Sequence, residues 1–244
     1  MVRKVAVSSF LGNFIEWFDY ASYSYFATTI ALVFFPTDNH TVAMLQTFGV
    51  FALSFILRPI GALFWGSYGD KKGRKAALAH SIMFMSGASF LIGCLPSYSV
   101  IGVGAPILLL LLRMVQGFSA SGEYAGAATF LGEYAPTSKR GIYCSLIPAF
   151  TAIGLLAGST LATLMTANMN SSAMVGWGWR VPFLLAGPLG LIVLYIRAKL
   201  ADSPVYQSMN DALESKGAAS ADGQIAAKSG MFAPLVELFH NHLK

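Results

Sequence analysis

Gly66-Ser67-Tyr68-Gly69-Asp70-Lys71-Lys72-Gly73-Arg74-Lys75 sets four cations and one carboxylate between two long apolar blocks. The block before it runs from about Met44 to Tyr68, and the block after it from Ala76 to Leu95. A helix of about 20 apolar residues crosses a bilayer, and each block is long enough. A short basic segment between two such blocks reads as a cytoplasmic loop, because Lys and Arg collect on that side. Gly73 allows a tight turn. Asp70 is placed to accept hydrogen bonds from the free amides that open the second helix, where its charge suits the helix end. Arg74 and Lys75 offer charge to neighbouring helix C-termini.

Outward from this loop the same alternation continues. A first apolar block spans roughly Val5 to Phe35 and stops at Pro36. Further blocks run from about Pro106 to Leu131, from Ile142 to Ala167 and from Pro182 to Ile196. Six membrane helices result. A β-barrel is excluded because its segments would be about ten residues long and alternating. Composition agrees: 55% of the 244 residues are hydrophobic and 11% are charged, against about 25% charged in a soluble domain. Disorder is excluded by the same apolar excess. Arg3-Lys4 before an apolar run resembles the start of a signal peptide. The run is too long, however, carries Glu16 and Asp19, and lacks a small-residue cleavage site.

Thirteen of the 16 basic residues fall at the N-terminus, between spans two and three, between spans four and five, or after span six. Arg180 alone sits in the opposite loops, and Arg58 and Arg113 lie within spans. Both termini are therefore expected in the cytoplasm, and the net charge of +5 is a topology signal that needs no nucleic-acid partner. The organisation read from the chain is a six-span unit over residues 1–200 and a cytoplasmic loop or tail over 201–244. Within that tail, Phe232 to Leu243 has the spacing of a short interfacial helix. Cys94 and Cys144 give no disulfide framework. His40, His80, His240 and His242 lie at separate loops or ends and make no convergent metal set. No nucleophile elbow or phosphate-binding loop appears, so neither an enzyme nor a cofactor is expected.

Ionisable residues inside spans are costly and are functional-site candidates. Glu16, Asp19, Arg58, Arg113 and Glu123 are such residues. Asn13, Glu16, Tyr20 and Tyr23 share one face of span one, with Asp19 at its edge. Arg113, Gln116, Ala120 and Glu123 repeat that spacing on span four. Two polar faces in a membrane must line a shared interior or a cavity. Arg113 is the candidate anchor for a substrate carboxylate, with Glu123 on the same face as the candidate proton site, Glu16 in reserve and Asp19 behind it. Asn13, Tyr23, Gln116 and Arg58 complete the candidate cavity. Asp19 and Arg58 are also placed where they can snorkel to an interface. Gly122 and Gly126, and Gly154 and Gly158, form small-residue pairs suited to close helix packing.

The loop from Gly66 to Lys75 resembles the G-x-x-x-D-x-x-G-R-K signature of the major facilitator superfamily, with Gly66, Asp70, Gly73, Arg74 and Lys75 at its fixed positions. Gly12-Asn13-Phe14-Ile15-Glu16-Trp17-Phe18-Asp19-Tyr20, Leu57-Arg58-Pro59-Ile60-Gly61 and Arg113-Met114-Val115-Gln116-Gly117 resemble the metabolite:proton symporters of that superfamily. So do Glu133-Tyr134-Ala135-Pro136 with Lys139-Arg140-Gly141, and Trp177 to Phe183. The pattern is most similar to the osmoprotectant branch, the proline/betaine transporters. Symporters of dicarboxylates, citrate or shikimate share these motifs.

The resemblance implies an all-α membrane protein, the six-transmembrane-helix N-terminal half of a major facilitator fold in a bacterial inner membrane. It implies proton-coupled symport of a small polar metabolite such as proline, glycine betaine or a related organic acid. The signature loop would latch the cytoplasmic side, seconded by the charge motif of Glu133 and Arg140. Span five lacks the proline that follows the glycines in exchangers, which favours symport. The family builds carriers from two six-helix halves, so a C-terminal half is the implied partner, beside lipid, substrate and protons. The alternative is a truncated or split-gene half-carrier without transport of its own, or an assembly or sensor subunit.

Overall fold

The structure, a computed structural model, describes residues 2–200 and Ser208. The tail expected from residue 201 onward, including its interfacial helix, lies outside the described residues apart from Ser208. Helices α1 (Val2–Tyr25), α2 (Ala27–Phe34), α3 (His40–Ile56), α4 (Arg58–Lys72), α5 (Arg74–Cys94) and α6 (Tyr98–Ile101) form the first half. They are followed by α7 (Gly104–Tyr134), α8 (Arg140–Cys144), α9 (Leu146–Asn168), α10 (Ser171–Gly176) and α11 (Val181–Ala198). There are no strands among the described residues.

His40–Lys72, Arg74–Cys94, Gly104–Tyr134, Thr137–Asn168 and Gly178–Ala198 are long and apolar enough to cross a membrane. The remaining crossing is α1 with α2. Its break is bridged by hydrogen bonds from Phe26 N to Ser22 O (3.0 Å) and from Ile30 N to Phe26 O (2.8 Å). Its polar residues Asn13, Glu16 and Asp19 are all buried, so the charge that lowers its hydropathy is turned into the bundle and away from lipid.

The second crossing is two helices because Pro59 lies in the first turn of α4. Proline supplies no backbone N–H there and redirects the chain, which sets Arg58 at the bend. Asn39 starts α3 by accepting from the amides of Thr41 (3.0 Å) and Val42 (3.3 Å), an N-cap worth about 1 kcal/mol. Between α4 and α5 the turn falls on Gly73 at φ +94°, a conformation that strains any side chain with a Cβ. Among the described residues no side chain caps α5. Asp70, expected to do so, lies within α4 and pairs with Arg74 at 3.0 Å, because the helix runs on to Lys72 and carries the carboxylate away from the α5 amides.

α7 is the hub, packed against α1, α3, α4 and α5, while α9 lies along α1 and α11 along α5 and α1. The α9–α1 contact is made through glycines. A Cβ on Gly154 would lie 2.8 Å from the Phe14 carbonyl oxygen, and one on Gly158 would lie 2.8 Å from that of Phe18. The other glycine pair serves different neighbours: Gly122 faces Trp65 of α4 and Gly126 faces Leu78 of α5. Three apolar clusters stack along the bundle. Val5, Leu78, Leu131, Ile147 and Leu200 gather at the end that carries the basic loop. Ile15, Ile82, Met85 and Val193 fill the middle, and Phe34, Leu109, Trp179 and Phe183 fill the far end. At the far end Arg180 donates to the carbonyls of Gly93 (2.8 Å) and Leu95 (2.5 Å), satisfying the open C-terminus of α5.

Candidate functional site

Three carboxylates from α1 and α7 lie inside the bundle, each on its own arginine. Asp19 accepts from Arg113 Nη1 at 2.6 Å. Glu16 accepts from Arg58 Nη2 at 2.5 Å. Glu123 is held by Arg197, whose Nη1 reaches Oε2 at 2.8 Å and whose Nη2 bonds Oε1. All three acids are buried, as are Arg113 and Arg197, whereas the Arg58 side chain keeps 25% of its exposure. Leaving one member of such a pair alone costs about 3–5 kcal/mol, so the pairs lock the helices in register unless a ligand or a proton takes one partner's place.

Around Asp19 the network continues. Ser89 Oγ donates to Asp19 Oδ1 at 3.0 Å, and Gln116 Nε2 donates to Ser89 Oγ. Arg113 stacks 3.8 Å from the Tyr23 ring centroid, a cation–π contact. The Tyr23 hydroxyl donates to Thr47 O at 2.9 Å, and Thr151 Oγ1 donates to Asn13 Oδ1 at 2.9 Å. Arg113 Nε and Nη2, Gln116 Oε1, Asn13 Nδ2 and Glu16 Oε2 have no partner among the described residues. Buried polar atoms are nearly always satisfied, so these orphans mark where water, a proton or a ligand group belongs.

The candidate residues thus come together, but in pairings other than those the spacing suggested. Arg113 and Glu123 share a face of α7, yet ten residues put them about 15 Å apart along the axis, and neither touches the other. Arg113 meets Asp19, which is 4% exposed and does not snorkel. Arg197, expected in the cytoplasmic flank of span six, is 1% exposed. It bonds Ser8 Oγ at 3.1 Å, Leu78 O and Glu123, because α11 extends past Ile196 and keeps it inside. A signal was available. Three acids against two bases left one acid unmatched, and Arg197 ends the apolar run of span six.

A concave surface runs beside the Glu16–Arg58 pair, across α1, α3, α4, α7 and α9. One hollow of about 510 Å³ is lined by Trp17, Phe55, Arg58 and Tyr124. The next, of about 470 Å³, shares Trp17 and Phe55 and adds Tyr20, Tyr25 and Phe51. Asn13, Tyr23, Gln116 and Arg113 are buried and line neither hollow. At the basic loop, Arg74 bridges Asp70 and Glu133, at 3.0 and 3.7 Å, joining the two charge motifs. Arg140 begins α8 on the exposed surface. Gly66 opens onto the hollow beside Arg74, and Lys75 donates to the carbonyl of Ala198 at 3.0 Å. Among the described residues no group of His, Cys, Asp and Glu is arranged to hold a metal.

A six-crossing bundle with paired charges on α1 and α7 and a basic loop between its second and third crossings is the half-unit of the major facilitator superfamily. The family profile described as sugar (and other) transporter matches residues 4–235, and the chain belongs to that family. The proline/betaine transporter of Salmonella typhimurium is 43% identical over 213 residues, which cover 87% of this chain and 43% of the relative. The glycine betaine/proline/ectoine/pipecolic acid transporter OusA of Dickeya dadantii is also 43% identical, over 87% of this chain and 42% of its own length. The chain therefore spans less than half the length of these relatives. Among solved structures, the proton:xylose symporter XylE bound to 6-bromo-6-deoxy-D-glucose superposes with a TM-score of 0.77 at 16% identity, over 87% of this chain and 47% of that one. A partially occluded inward open form of XylE from E. coli gives 0.76 at 19% identity. These likenesses establish the fold of a multi-pass membrane protein of the superfamily.

Proposed function

We propose that the chain is the N-terminal bundle of a secondary active transporter that carries a small zwitterion of the proline or glycine betaine type, or a related organic acid, together with protons. The carrying observation is the set of three carboxylate–guanidinium pairs enclosed in a membrane bundle. A buried carboxylate paired with an arginine changes protonation when that arginine is drawn to another anion, and proline and betaine each bring a carboxylate. Glu123, Glu16 and Asp19 are the proton-site candidates. Arg113, Arg58, Gln116, Asn13 and Tyr23 are the candidates for substrate contact. The Asp70, Arg74 and Glu133 contacts are the candidate latch on the cytoplasmic side of a bacterial inner membrane, with both termini inside. The concave aromatic wall faces outward from this bundle, which supports a second six-helix half as the partner that closes the cavity.

Uptake of labelled glycine betaine tests this in cells lacking their own osmolyte carriers, with the chain expressed alone or beside the C-terminal half of the Salmonella relative. Accumulation with the second half present, abolished by a protonophore, is expected. Inserted protein with no accumulation in either case contradicts the reading.

A further inference from the structure

Of the three arginines inside the bundle, two are sealed. Arg113 and Arg197 are at most 1% exposed and line neither hollow. Arg58 is different. It stands at the proline bend between α3 and α4 and lines the hollow of about 510 Å³. Its two hydrogen bonds both leave from Nη2, to Glu16 Oε1 at 2.5 Å and to the Tyr20 hydroxyl at 2.6 Å. A guanidinium offers five N–H donors in a planar fork suited to a carboxylate. Glu16 is held in turn by Arg58, and its Oε2 has no partner among the described residues.

The ring faces beside Arg58 already carry a cation. Its guanidinium carbon lies 5.0 Å from the Tyr20 centroid and 4.8 Å from that of Phe55. Trp17 and Tyr124 complete the wall of the same hollow, with Phe55 39% and Tyr124 41% exposed. Aromatic rings that line one hollow beside a carboxylate anchor are suited to alkylated ammonium groups. The hollow therefore presents a carboxylate-binding fork and a cation-binding wall side by side, the two recognition elements of a betaine.

We infer that Arg58 is the carboxylate anchor of this half-cavity: it exchanges Glu16 for the carboxylate of a betaine whose onium group rests on Trp17, Phe55 and Tyr124, and Glu16 takes up the proton. The inference rests on the proposed function and specifies its site. The exchange balances: one ion pair breaks, one forms, and the stranded Glu16 carboxylate binds one proton from water. A buried carboxylate without its partner is strongly disfavoured, and the surroundings reinforce this. Among the described residues no other guanidinium stands ready to replace Arg58, since Arg113 and Arg197 are taken by Asp19 and Glu123, and the neighbouring Tyr20 is also bonded to Arg58.

The test uses the purified 244-residue chain in lipid nanodiscs. Glycine betaine is titrated in weak buffer while binding and proton uptake are recorded together. About one proton should enter per betaine bound, and affinity should rise as pH falls. Glu16→Gln should bind betaine about 10-fold tighter, since a competitor is lost, with no proton uptake and no pH dependence. Arg58→Lys should bind about 10- to 100-fold more weakly, the range of a charge-assisted hydrogen bond. 3,3-Dimethylbutyrate, which has the shape of betaine without its positive charge, should bind far more weakly to the wild type. Undiminished proton uptake in Glu16→Gln overturns the inference and leaves the transport reading standing, with the proton on another acid. Equal binding of 3,3-dimethylbutyrate and betaine overturns the aromatic wall. A wild-type chain that binds xylose and no betaine overturns both the inference and the proposed function.

Discussion

Replacing Arg197 by Met tests the least expected contact of the bundle. In the native protein its guanidinium bonds both oxygens of Glu123 and reaches Ser8 and Leu78, joining α11 to α7, α1 and α5. The Met side chain fills similar space but leaves the Glu123 carboxylate with only the weak contact from Ser81 Oγ at 3.4 Å. Breaking a buried pair from one side costs about 3–5 kcal/mol. For a chain of this length that corresponds to a fall in Tm of about 6–20 °C. Removing both charges is a different matter, because two apolar groups of matching volume leave nothing stranded. The double variant Glu123→Leu with Arg197→Met should therefore recover most of the loss, to within about 2 kcal/mol of the native protein. Thermal unfolding of the wild type, Arg197→Met, Glu123→Leu and the double variant in detergent, followed by circular dichroism, reads the cycle. A single variant that melts with the wild type, or a double variant as unstable as the summed singles, would refute the pairing.

Cysteine at Asn39 should react with a membrane-impermeant reagent applied to intact cells, and cysteine at Lys72 only after permeabilisation; labelling of Lys72→Cys from outside overturns the orientation. Asp70→Asn and Arg74→Ala should slow uptake by the reassembled carrier while changing stability by less than about 1 kcal/mol, since ion pairs at a solvent-reached surface, here Asp70–Arg74 and the longer Arg74–Glu133, contribute little; uptake at wild-type rates would reduce this loop to a topology signal. Gly158→Val pushes α9 off the Phe18 carbonyl and should destabilise by about 1–3 kcal/mol, the usual range for overpacking, readable in the same melts; an unchanged Tm would deny the close α9–α1 contact.

The helices were legible because a bilayer imposes coarse rules on sequence. Pro36, the basic run after Asp70 and the polar Asn168-to-Ser172 segment end apolar blocks where the helices end or turn. The polar face of α1 was equally visible, since Asn13, Glu16 and Tyr20 recur at helical spacing. What spacing cannot convey is which helix lies opposite. The shared face of Arg113 and Glu123 suggested that they act on each other, but partners across a bundle are set by depth and packing. Asp19, Ser89 and Arg113 meet at one level, while Glu123, Ser81 and Arg197 meet at another. Hydropathy falls at the first charge and so places Arg197 in the flank, although the helix and its burial continue past Ile196. The role of Arg58 depends on the bend at Pro59 and on the rings of Tyr20 and Phe55, a three-helix arrangement no local pattern encodes.

Proton movement driven by a zwitterion tests the central claim most directly. Proteoliposomes holding the chain with a complementary second bundle are suspended in weak buffer, and external pH is followed as glycine betaine is added. The account predicts alkalinisation of the medium in step with betaine entry and no response to xylose. Betaine entry with no proton movement would contradict it.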